Sequence, residues 1–73
     1  MAGPVEQVRS RAENALRSSP FYELRVINVE PMEKGLMISG RVSSFYYKQL
    51  AQEAVRSVCR DTEVQLVNSI DVR

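Results

Sequence analysis

Three segments that alternate like strands and two with helical spacing, in the order helix, strand, strand, helix, strand, predict a small α+β domain. Three observations carry that prediction. Gly35-Leu36-Met37-Ile38-Ser39-Gly40-Arg41-Val42 alternates apolar and polar residues as a half-buried strand does. It passes through Ser43-Ser44 straight into an aromatic-headed stretch with helical periodicity. The chain has 73 residues, enough for one core and little more.

The first helix is expected from Val5 to about Ser18, where Val5, Val8, Ala12, Ala15 and Leu16 form one apolar stripe. Pro4 suits its first turn, and Ser18-Ser19-Pro20 closes it. Tyr22 to Glu30 reads as the first strand, with a change of phase. Tyr22, Leu24 and Val26 share one face, whereas Ile27 and Val29 share the other, through a bulge near Val26-Ile27 or because both faces are partly covered. Pro31-Met32-Glu33-Lys34-Gly35 then supplies a hairpin turn, with Pro31 ending the strand and Gly35 free to take positive φ.

In the second strand Leu36, Ile38, Gly40 and Val42 face the helices, and Gly40 marks a bulge or a close approach by a helix. Ser44 is the expected N-cap of the second helix, whose stripe is Tyr47, Leu50, Ala51, Ala54 and Val58, with Arg60-Asp61-Thr62 ending it. The last strand runs from about Glu63 to Val72, with Val64, Leu66, Ile70 and Val72 inward. Asn68 falls on that inward side, where its amide needs a sheet edge or a helix end to bond to. A helical crossover makes the second and third strands parallel and right-handed. The prediction is therefore a single domain over 1–73, ordered from about 5 to 72, with a three-stranded mixed sheet and two helices packed on one face.

Ten basic and nine acidic residues, scattered without runs, leave a net charge of +1, so bulk electrostatics selects no partner. No apolar run approaches the ~20 residues of a membrane span, and Met1 to Glu6 lacks the features of a secretory signal; a signal or anchor in a longer parent protein would lie outside this sequence. With no histidine, and with Cys59 as the single cysteine, the chain offers no nucleophile-base pair, metal cluster or internal disulfide. Catalysis, cofactors and metals are not expected. Cys59 reads as a semi-buried packing residue. Gly35 and Gly40 have the spacing of phosphate-loop glycines, but Arg41-Val42 stands where Lys-Ser or Lys-Thr is needed.

The run Gly35 to Val42, the capping serine with its alanine-containing helix, and Leu66-Val67-Asn68-Ser69-Ile70-Asp71-Val72 together resemble the BON domain, a family named for bacterial osmotic-stress and nodulation-related proteins. The resemblance covers nearly the whole chain. Two features depart from the family pattern: Asp61-Thr62 stands where a glycine usually precedes the last strand, and Phe45-Tyr46-Tyr47 replaces an often acidic helix start. The resemblance implies a non-catalytic module of the bacterial envelope or periplasm that binds phospholipid surfaces or other proteins.

On a helical wheel Tyr47 faces the core, Tyr46 flanks it and Phe45 points away, so Phe45, Tyr46 and Lys48 form a candidate lipid or partner contact. The competing reading has Phe45 folded over the first turn, or simply one exposed apolar residue among many. Arg11 and Arg17 on the outer face of the first helix are further candidates for phosphate, although Glu6 and Glu13 nearby favour an ordinary solvated face. Gly35, Gly40 and Ser44 are structural. Three classes of function follow: an anionic lipid-binding module first, a protein-interaction or self-association module second, and a nucleic-acid-binding fold last. The last lacks a Gly-x-x-Gly clamp or a basic-aromatic sheet motif.

Overall fold

The computed structural model describes residues 4–60 and 62–73. Its elements are α1 (Pro4–Arg17), α2 (Tyr22–Arg25), β1 (Asn28–Met32), β2 (Gly35–Val42), α3 (Phe45–Cys59) and β3 (Gln65–Val72). The sheet order is β1-β2-β3, with β1 antiparallel and β3 parallel to the central β2. This is the predicted α+β class: a three-stranded mixed sheet with α1 and α3 packed against it and against each other. Asp61, expected in the turn after α3, lies outside the described residues.

The core follows from the patterns. Val8, Ala12 and Leu16 of α1 are buried, Leu36, Ile38 and Val42 face them from β2, and Ile70 closes the β3 side. In α3 the fully covered positions are Ala51, Val55 and Cys59, while Tyr47, Leu50, Ala54 and Val58 are half-buried around them. The buried line therefore lies one residue round from the expected stripe, and Val55 is its centre.

The first expected strand is corrected. Tyr22–Arg25 is a helical turn and β1 begins only at Asn28. The change of phase marks this boundary, not a bulge or two covered faces. The turn sets Leu24 and Ile27 three apart, so that both reach the core, and the Ile27 N–H donates to the Leu24 carbonyl at 3.2 Å. Pro31 does not end the strand but pairs with Leu36, which a proline can do because β1 lies at the sheet edge.

The glycines also act differently from expectation. Gly35 has no positive φ; a Cβ there would lie 2.3 Å from the Gln65 carbonyl oxygen, so the position needs glycine for the close approach of β3. Gly40 does take positive φ, 145°, and its nearest neighbour is the Ile27 side chain rather than a helix. β3 begins two residues later than expected, at Gln65, and Val72, expected inward, is 38% exposed at the last residue of the strand although it still pairs with Val42. Asn68 is both at an edge and bonded to a helix, donating to the Lys48 carbonyl at 3.4 Å and to Gln52 Oε1 at 3.1 Å.

Candidate functional site: an aromatic tip

Ser44 begins the site. Its extended backbone (φ −153°, ψ 159°) turns the chain, and its hydroxyl accepts the Tyr47 N–H at 3.4 Å, so α3 starts at Phe45. The next three residues fan around the first helical turn. Phe45 and Tyr46 are 67% and 61% exposed, and Tyr47 lies half-buried against the core.

The α2 turn docks beside this junction. Glu23 accepts both the N–H and the hydroxyl of Ser43, each at 2.6 Å, charge-assisted bonds that hold the two segments together. Phe21 thereby meets the Tyr47 ring edge-on with centroids 5.6 Å apart, and Tyr46 meets Tyr47 at the same distance. The segments 21–26 and 43–48 contain all five aromatic residues of the chain. Tyr22 is 67% exposed, and Val26 adds a further exposed apolar side chain.

The charge at this end is cationic. Lys48 Nζ lies 5.8 Å from the Phe45 ring centre, and the Arg25 guanidinium, whose Nη1 also donates to the Ser19 and Pro20 carbonyls at 3.1 and 3.4 Å, lies 5.8 Å from that of Tyr22, so each of the two most exposed rings has a cation beside it. Arg41 and Arg73 belong to the same end of the sheet, where the Arg73 N–H donates to the Val42 carbonyl at 2.9 Å; Asp71 stands opposite Arg41 in register. The Glu23 carboxylate is occupied by Ser43.

Of the residues singled out in the sequence, Phe45, Tyr46 and Lys48 come together here. Arg17 does not join them as a free cation. Its guanidinium donates to the carbonyls of Arg25 at 2.8 Å and Ile27 at 3.1 Å, clasping the α2 turn to the end of α1. Arg11 is exposed on α1. Glu6 and Glu13 pair with Arg9, at 3.0 and 3.5 Å, rather than with either candidate. Sequence reasoning missed Phe21, Tyr22, Arg25 and Val26, because a strand assignment there hid their grouping. The signal was that the aromatics fall in two short clusters, each at the mouth of a helical turn.

Cys59 is 7% exposed, and burial pushes its thiol above its ordinary pKa of 9.0. The folded state favours the neutral thiol. Its contribution to stability is therefore complete below pH 9.0 and is lost as pH rises through the higher folded value. Urea unfolding of wild type and Cys59→Ala across pH 7–11 is expected to show the wild-type advantage shrinking above pH 9. Native protein should alkylate at least about tenfold more slowly than protein in urea. Among the described residues no group of three or more Cys, Asp or Glu is placed to hold a metal ion, and no helix is long and apolar enough to cross a membrane.

Comparison with known proteins matches the chain to no family model, no curated protein and no solved structure.

Proposed function

We propose that this chain is a non-catalytic module that attaches to anionic phospholipid surfaces through its aromatic tip, in the bacterial envelope setting that its resemblance to BON domains implies. The observation that supports the reading is the gathering of every aromatic side chain at one end, with the two most exposed rings each beside a cation. Such rings seat at headgroup depth while ammonium and guanidinium groups meet lipid phosphate. Each basic residue near an anionic surface is worth about 1 kcal/mol, so a few cations and two or three rings give a weak, salt-sensitive attachment. That strength suits a module acting beside other domains or in several copies.

Titration with vesicles of mixed phosphatidylglycerol and phosphatidylcholine, against phosphatidylcholine alone, tests this. Binding is expected to the anionic vesicles only, and to weaken between low and physiological salt as the screening length falls to about 8 Å. Phe45→Ser should cut vesicle affinity about tenfold, because a ring that would enter the interface is lost, with the urea midpoint unchanged. Absence of vesicle binding, together with concentration-dependent self-association, would overturn the lipid reading in favour of a protein-interaction module.

A further inference from the structure

We propose a second contact surface: the groove between α3 and the free edge of β3 takes an extended acidic peptide, which adds beside β3 as a fourth strand. The backbone sets this up. The N–H of Gln65 donates to the Lys34 carbonyl at 3.2 Å and that of Arg73 to the Val42 carbonyl at 2.9 Å, both on the β2 side. Alternation along a strand then turns the N–H groups of Leu66, Asn68, Ile70 and Val72 to the open side.

One of these is already closed. Asn68 Oδ1 accepts the Ile70 N–H at 3.0 Å, and the same side chain is anchored to α3 through Lys48 and Gln52. Asn68 thus caps the edge toward the tip and leaves the Leu66 and Asn68 N–H groups facing the groove. The stretch of edge from Leu66 to Asn68, left open by that cap, is a template for a strand.

The groove encloses about 350 Å³. Cys59, Val64 and Leu66 form its apolar part, and Arg56 and Arg60 stand on its helical wall. Both arginines are exposed, and neither makes an ion pair among the described residues, where Arg9 holds the ion pairs. Four residues of helix rise about 6 Å. Alternate side chains of an extended strand repeat at about 6.7 Å. Carboxylates at alternate positions of a strand beside β3 therefore match the two guanidinium groups, their stems covering Leu66 and Val64.

Charge also selects against a second copy of this chain. Lys48, Arg56 and Arg60 recur along α3 at multiples of four residues, and two domains paired edge to edge about a twofold would set two such cationic rows together.

Amide-shift titration with the capped peptide Glu-Val-Glu-Val-Glu, and with its Gln-Val-Gln-Val-Gln and Lys-Val-Lys-Val-Lys counterparts, tests the proposal. The glutamate peptide is expected to shift Leu66, Asn68 and the 52–60 face of α3, and to bind at least about tenfold more tightly than either counterpart. In the double variant Arg56→Glu, Arg60→Glu, whose changes are both at exposed positions, the preference should reverse to the lysine peptide at an unchanged urea midpoint. Equal responses to the three peptides, no response, shifts confined to the aromatic tip, or pairing of β3 with β3 of a second copy would each overturn the proposal. The comparison among peptides on wild-type protein stands even if the double variant fails to fold.

Discussion

Gly35→Ala is expected to lower the stability of the domain by about 3 kcal/mol, the upper part of the range for overpacking a close contact. The added Cβ would lie 2.3 Å from the Gln65 carbonyl oxygen and 2.9 Å from its carbon, separations that no real side chain shows. Nothing flexible stands there to yield. The obstacle is the backbone of β3 at the first residue of its ladder with β2, so relief must come from moving the strand itself. For a chain of this size that is a large share of the total stability. Urea unfolding measures it as a lower midpoint at unchanged slope. A loss below about 1 kcal/mol would mean that β3 is not seated against Gly35.

Ile38→Ala should cost about 3 to 4 kcal/mol, from lost transfer free energy and an unfilled cavity. Ile38 is 0% exposed at the middle of the central strand, with Val29 beside it in β1 and Asn68 beside it in β3. Arg41→Ala, on the opposite face of the same strand, should change stability by no more than about 0.5 kcal/mol. Comparable losses for the two would contradict the assignment of the inner and outer faces.

Much of this architecture is written in local periodicity. Val8, Ala12 and Leu16 mark α1, Leu36, Ile38 and Val42 mark β2, and Ser44 marks the start of α3, because each rests on neighbours within a few residues. Where periodicity failed, longer-range bonds decided. The α2 turn is tied by Glu23 to Ser43, twenty residues away, and by Arg17 to the carbonyls of Arg25 and Ile27. No local pattern in Tyr22–Arg25 announces those partners.

The same division holds for the tip. Exposure of Phe45 was legible on a helical wheel, since a helix fixes the direction of its side chains, whereas Tyr46, expected to flank the core, is 61% exposed. The contribution of Phe21 and Tyr22 was not, since it depends on where a turn docks. Arg17 shows the converse case: a cation that reads as a surface contact in sequence is bound to backbone carbonyls in the fold.

The two proposed surfaces divide the molecule by role. Asn68 and Lys48 lie between them, Lys48 offering its ammonium to the tip and its carbonyl to the Asn68 amide that caps the β3 edge. Lipid at the tip and a peptide in the groove would leave each other room, the first drawing on aromatic rings and the second on Arg56 and Arg60.

Paramagnetic broadening from the bilayer shows whether the aromatic end is the part of the molecule that meets it. Amide signals are recorded with anionic vesicles containing a nitroxide-labelled lipid, and again after the nitroxide is reduced. Broadening is expected at residues 21–26 and 43–48, with the α1 face around Arg11 and the Glu33-Lys34 turn spared. Broadening centred on Arg11, or none along the chain, would contradict it.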